Sequence, residues 1–317
     1  MDNSPLGGSV RGYTLVLIGV TCFSLNAAVS RLILDTGVSA WTLSQFRALG
    51  ATVLLAVILL VARRSFRLPA HHRTRIVVYG ILGLALVQAL YFEAIARIPI
   101  GLALLIEFLG PVWVALWARF VQRQFVSNLL WPALALTVIG LALVAGAGLS
   151  GLDPWGVAAA FGAGLSFAVY FVVGEELVAD TNPFVVSFWG FAIAAVVWLL
   201  ATPLIPTLIP VWEVDYSSPI TLPMSGLIVP AILLFAWLVS LGTVVPFAAE
   251  TSAMRWVPAT TVSVLATAEP IAAGAVAWWL FGETAAAVQL VGALLVIAGI
   301  VLALLSRSGH RLPAVVD

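Results

Sequence analysis

Ten apolar stretches, each close to 20 residues long, follow one another along almost the whole chain, at about 13–34, 41–62, 76–96, 100–120, 128–147, 155–177, 184–205, 226–250, 259–280 and 286–306. A helix rising about 1.5 Å per residue crosses the hydrocarbon of a bilayer in about 20 residues, so each stretch is long enough for one crossing. Barrel strands would alternate apolar and polar side chains at every second position, and these stretches do not. The chain is 62% hydrophobic and 9% charged, with a mean hydropathy of +1.14, a composition foreign to soluble domains. The expected fold class is an all-α integral membrane protein with about ten transmembrane helices. The single cysteine, Cys22, excludes an intramolecular disulfide framework, and its place inside an apolar stretch suits packing.

The charges orient the chain. All 14 basic residues are arginine. With the N-terminus in the cytoplasm, the inner side collects Arg11, Arg63, Arg64, Arg67, Arg73, Arg75, Arg119, Arg123, Arg255, Arg307 and Arg311. The outer side holds only Arg31 and Arg97, and Arg47 lies within a segment. Eleven against two is a clear positive-inside bias, and ten spans then return the C-terminus to the cytoplasm. The stretch RRSFRLPAHHR in the loop after the second segment reads as this topology signal, with affinity for anionic lipid rather than nucleic acid. A cleaved leader ending near Ala27 and Ala28 is the weaker reading of the first segment, which is long enough to span.

The chain also repeats itself. A shift of 159 residues sets Pro99 on Pro258, Pro111 on Pro270 and Gly140 on Gly299 without a gap, and a shift of 142 or 143 sets Ser24 on Ser166 and Ser44 on Ser187. Each half then has five helices. Five is odd, so the second half enters from the opposite face, giving two inverted five-helix repeats at 11–147 and 155–306 and a cytoplasmic tail at 307–317. Many secondary transporters use this plan to alternate access about a site near the bilayer midplane.

The stretch ATAEPIAAGAVAWWLFGETAAAVQLVGALLVIAGIVLA, Ala266 to Ala303, with Glu269-Pro270 and Gly282-Glu283, resembles the second repeat of the EamA family of the drug/metabolite transporter superfamily. LLIEFLGPVWVAL around Glu107 and Pro111, and VPFAAETSAMRWVPA around Glu250 and Pro258, resemble the threonine/homoserine exporter branch. The resemblance implies a secondary transporter that exports amino acids or related small metabolites from a bacterial-type inner membrane. The first repeat departs from the second, with Gly110 in place of Glu269 and Arg123-Gln124 in place of Gly282-Glu283. The two halves therefore cannot perform symmetric chemistry.

Charges within hydrocarbon cost about 2.5 kcal/mol or more, so each requires a partner, a wet cavity or a proton. Counting from helix ends, Asn26, Arg47, Gln88 and Glu107 each fall roughly 9 to 12 Å below the outer surface, one polar layer from four helices. The sharpest expectation is that Arg47 and Glu107 face each other and line a substrate cavity. The guanidinium fork suits a carboxylate, Glu107 or the amides suit an ammonium, and a structural ion pair is the competing reading. Among the 12 tryptophans, Trp113 is one whose ring can line the cavity and hold an ammonium, while most belong to packing or an interfacial belt. Glu107 and Glu269 are the candidates for carrying a proton, and Pro111 and Pro270 mark helix breaks. Glu93 with Arg97, and Glu250 with Arg255, read as interfacial pairs, and Glu175 and Glu176 as solvated.

Other classes fare worse. The three histidines lie outside the apolar stretches and no GxSxG motif occurs, which leaves an intramembrane enzyme without its parts. No lysine is present for a Schiff base, and no GxxxxGK[ST] loop for ATP. No cofactor or metal is expected. The expected partners are a small-molecule substrate, the bilayer and a proton, with a homodimer and the uniporter, importer and channel alternatives left open.

Overall fold

A computed structural model of the protein describes residues 5–95, 97–98, 103, 106–123, 127–145, 153–204, 209, 211–217, 219–221, 228–281 and 286–308. It contains ten helices: α1 (Pro5–Leu34), α2 (Ala40–Val61), α3 (73–95), α4 (Gly110–Val121), α5 (Leu130–Ala145), α6 (Pro154–Val178), α7 (Pro183–Ala201), α8 (Ala231–Ala253), α9 in two pieces (Ala259–Ala266 and Glu269–Phe281) and α10 (Ala287–Ser308). Seven are at least 18 residues long and apolar enough to cross a membrane, and α4, α5 and α10 contribute shorter apolar windows. The protein is thus a multi-pass membrane protein, turned inside out relative to a soluble one. Leu17, Val53, Leu60, Leu200, Leu233 and Leu294 lie exposed on the outside, while Ser24, Ser44, Thr243, Glu250 and Thr251 are buried.

Several boundaries differ from those expected. Residues 228–230 form not the start of α8 but a strand, β2 (Ile228–Pro230), paired antiparallel with β1 (Pro219–Thr221), with Ile220 opposite Val229. Pro230 lacks an amide hydrogen and stands at the helix N-cap, so α8 starts after it. Helix α7 stops at Ala201 rather than continuing to 205, because Pro203 disfavours helix at the residue before it. At their N-termini, Ser39, Asp153 and Asn182 cap α2, α6 and α7 with side-chain oxygens that accept backbone N–H bonds.

The breaks fall where the prolines require them, at one constant offset. In α9 the helix is interrupted at residues 267–268 and restarts at Glu269-Pro270; ahead of α4 a turn at 108–109 precedes Gly110-Pro111. Shifted by 159, the π-helical segment Ser240–Val244 in α8 falls within the longer one at Tyr79–Leu86 in α3, and a third, Trp117–Val121, ends α4. Such segments are uncommon and gather at functional sites.

The crossing of α5 and α10 displays the internal symmetry directly. A methyl group on Gly140 would lie 2.6 Å from Gly292 O and 2.8 Å from Val296 N. One on Gly299 would lie 2.7 Å from Ala133 O and 3.1 Å from Thr137 N. Adding 159 to 133, 137 and 140 gives 292, 296 and 299, so each half presents the same face to its image and a pseudo-two-fold axis passes between the helices. Elsewhere the halves interlock. Helix α1 lies along α8 and α9, α2 along α7, and α3 along α6 and α7.

Candidate functional site

Two polar clusters occupy the interior, one at the π-helical stretch of α8 and one on the regular helix that follows it. The first surrounds the π-helical turn Ser240–Val244. Arg47 of α2 donates from Nε to Thr243 Oγ1 at 3.1 Å. Asn26 of α1 packs directly on Gly242, where no side chain would fit, and its Oδ1 is buried without a hydrogen-bond partner. Two polar groups from the first half thus reach one turn of the second. No ion pair joins Arg47 to Glu107 among the described residues, so the structural ion pair, the competing reading of these two charges, is not formed. Depth along a helix carries no information about which face a side chain takes.

The second cluster lies where α1, α3, α6, α8 and α9 converge. Glu250 is 1% exposed, and Glu269, the first residue after the α9 break, is in its electrostatic reach. Tyr170 donates its hydroxyl to Glu250 Oε2 at 3.3 Å, and the Tyr79 and Tyr170 hydroxyls each lie 3.4 Å from Thr251 Oγ1. The two tyrosine rings stack at 5.5 Å. From α1, Gly19 admits the Glu250 side chain, since a methyl there would come within 2.8 Å of its Cγ. Ser24 donates to the Glu269 carbonyl at 3.3 Å. Glu107, partly exposed ahead of the α4 turn, is in electrostatic reach of Glu269 and of Tyr91.

Glu250 is the residue that sequence reasoning misplaced. Its expected partner, Arg255, instead donates to the carbonyls of Val178 and Thr181 at 3.0 and 3.1 Å, tying the end of α8 to the end of α6. Helix α8 runs past the expected end at residue 250, to Ala253. The repeat held the missing signal: subtracting 159 places Glu250 on Tyr91, inside α3. Glu175 and Glu176 are not merely solvated either, since Glu175 accepts from Ala259 N at the start of α9 and Glu176 pairs with Arg75 at 2.9 Å.

Among the remaining candidates, Gln88 follows the α3 π segment and has a buried Oε1 without a partner. Trp113 packs edge-on against Phe161, with its Nε1 buried and unpartnered. Pro111 and Pro270 each occupy the first turn of a restarted helix. The carbonyls of Ile106 and Glu107 lie 2.9 and 3.1 Å from where a side chain on Gly164 of α6 would start. Glu93 and Arg97 form the expected pair, 2.6 Å apart. Gly282, Glu283 and Pro99 lie outside the described residues.

One cluster, at the start of α3 and just after α6, has metal-ligand chemistry. Asp180, after α6, accepts from His72 at 2.6 Å and lies 3.0 Å from His71 Nε2. The His72 hydrogen bond pushes its carboxyl down to about 2. All three ligand atoms lie within 4.8 Å of one another. Three protein donors fall one short of a closed structural zinc site, and Arg64 and Arg67 line the adjoining pocket.

With this geometry in view, the comparisons with known proteins agree. The model of the EamA-like transporter family matches twice, at residues 10–146 and 154–305. The threonine/homoserine exporter RhtA of Salmonella typhimurium (strain SL1344) is 28% identical over 292 residues, which are 90% of this chain and 88% of that protein. The exporter of the same name from Escherichia coli (strain K12) is 28% identical over 84% of this chain and 81% of its own. An uncharacterized transporter of Archaeoglobus fulgidus is 28% identical over 70% and 75%. A solved crystal structure, 19% identical, matches with a TM-score of 0.75 over 97% of this chain and 100% of its own, a likeness of fold alone. Two family matches spanning nearly the whole chain, on two five-helix halves related by an internal axis, establish that this protein belongs to the EamA-like transporter family.

Proposed function

We propose that the protein exports a small polar metabolite across a bacterial inner membrane, with amino acids such as threonine and homoserine the leading class, by rocking its two halves about the interior polar clusters. The observation that carries this reading is the meeting of Asn26 and Arg47 with the π turn of α8. Polar groups of the first half are held there against a deformable turn of the second, so a solute bound to them touches both moving parts. Arg47 uses only Nε on Thr243. Its terminal nitrogens are left to accept a carboxylate in the two-pronged geometry that lysine cannot offer. Glu107 and the face of Trp113 supply sites for the ammonium group. The exporters that this chain resembles support the substrate class. Both termini then lie in the cytoplasm.

The test is export itself. Cells overproducing the protein are compared with empty cells for intracellular and extracellular amino acids, and a rise in extracellular threonine or homoserine is the expected result. Replacing Arg47 by Lys should lower export about tenfold or more and Arg47→Ala at least as far, at equal protein level in the membrane. An unchanged medium across all amino acids would overturn the substrate class, and full export by Arg47→Ala would remove Arg47 from the site.

A further inference from the structure

A set of polar groups outside both interior clusters joins the two halves at one end of the molecule. The tight turn Ala70–His72 leads into α3 in the first half, and Asp180 follows α6 in the second. Adjacent residues of such a turn point about 120° apart. Both imidazoles nevertheless converge on one carboxylate: His72 Nε2 lies 2.6 Å from Asp180 Oδ1 and His71 Nε2 lies 3.0 Å from Oδ2, with the ring centres 4.1 Å apart. The His71 side chain is 59% exposed, so water would satisfy it nearly as well as a carboxylate that His72 already holds. Its return brings three metal-ligating atoms within 4.8 Å of one another. The surroundings hold these ligands in place. The Pro69 carbonyl accepts the His72 N–H at 3.0 Å, and Arg75 pairs with Glu176 at 2.9 Å, which aligns the start of α3 with the end of α6. Thr181 donates its hydroxyl to Asp180 Oδ1 at 3.0 Å, and Arg255 holds the Thr181 carbonyl at 3.1 Å. Bonds of this outer kind orient the ligands of metal sites.

We propose that His71, His72 and Asp180 bind a divalent transition-metal ion of the zinc class, and that the ion clamps the first half of the protein to the second. Two imidazoles and one carboxylate suit zinc, cobalt or nickel; magnesium and calcium prefer oxygen ligands alone. Metal bonds of about 2.0–2.2 Å in a tetrahedron set the ligand atoms about 3.4 Å apart. The exposed side chains of His71 and Asp180 can rotate to that spacing, while His72, 3% exposed, stays where the turn holds it. Three protein donors leave a fourth position to water or a small anion. Arg64 and Arg67 line the pocket that Asp180 also lines, and their charge favours the anion there. The site is separate from the Asn26 and Arg47 cluster, so its test does not depend on which solute the protein carries.

The test uses the full-length protein in detergent, purified through a tag that contains no histidine and stripped with a chelator. Cobalt(II) should bind at about one ion per chain and show the visible absorption bands of an ion held by nitrogen and oxygen ligands. Zinc should displace it, and a large excess of magnesium should not. His71→Asn and Asp180→Asn should each weaken cobalt binding about tenfold or more, whereas His310→Asn, at the remaining histidine, should leave it within about twofold of wild type. His71 is exposed, so its variant decides the question even where a substitution of the buried His72 fails to fold. The clamp has its own readout. Saturating zinc should raise the midpoint of thermal unfolding by about 2 °C or more in wild type and by less than about half of that in His71→Asn and Asp180→Asn. Absence of the cobalt bands, undiminished binding by His71→Asn, or displacement by magnesium would each overturn the metal site. Cobalt bands without a rise in the zinc-bound midpoint would overturn the clamp.

Discussion

At the residue scale, Asp180 gives the clearest dependence on pH. Its carboxyl lies about 2 in the folded protein, below the roughly 3.9 of an unfolded chain, chiefly because His72 bonds it. A lowered acid stabilises the fold at pH values above its unfolded value, and that contribution disappears as pH falls through about 2. Asp180 is half exposed, so solvent screens it and the contribution is small. Asp180→Asn should therefore flatten the fall in stability between about pH 4 and pH 2 and leave stability near neutral pH little changed, as followed by tryptophan fluorescence during acid titration in detergent. A wild-type acid limb in the variant would show that the His71–His72–Asp180 contact adds nothing to folding. Single residues were also where the sequence was least legible. Asn26, Arg47 and Glu107 can be assigned depths from helix lengths alone, but the partners of Arg47 and Glu250 depend on the rotation of each helix about its axis. Nothing in the spacing of Glu250 and Arg255 reveals that one turns inward to Tyr170 and the other back to the α6 carbonyls.

At the element scale, sequence and structure agree better because the causes are local. Proline removes an amide hydrogen wherever it stands, so Pro111 and Pro270 disclose both breaks without any knowledge of neighbours. The π segments are not legible in the sequence, since none contains a proline and an extra residue in a turn leaves no compositional trace. Glycine pairs were legible as close contact but not as an axis. Gly140→Ala and Gly299→Ala should each cost about 1–3 kcal/mol, because the obstructing atoms include backbone that cannot step aside. The two costs should be similar, since the sites are images of each other. Gly274→Ala, with nothing within 4 Å of the new methyl, should be neutral or slightly stabilising. Thermal unfolding of the three purified variants measures this, and a harmless Gly140→Ala would contradict the close crossing.

At the scale of the whole molecule, ten helices in two inverted halves leave one property to the surface charges: which way round the chain sits. Arg63, Arg64, Arg67, Arg73 and Arg75 concentrate the bias in one loop of the first half. Reporter fusions at the C-terminus, one fluorescent only in the cytoplasm and one active only outside it, should report a cytoplasmic end. Replacing those five arginines by glutamine should produce a mixed population carrying both signals. An unmixed result would place the orienting information in the helices.

The α5–α10 crossing bears on how such a molecule can originate. A surface that meets its own rotated image requires nothing from the linker between the halves, and two separate copies of one five-helix chain, inserted in opposite directions, would complete the same contact. Such a chain must carry little charge bias, or every copy would enter the same way. The second half has only Arg255 and Arg307 among arginines within 155–308, whereas the first is heavily biased. In a single chain the arginines of one half suffice to orient both, and the halves need not be identical: Glu250 and Glu269 align with Tyr91 and Gly110.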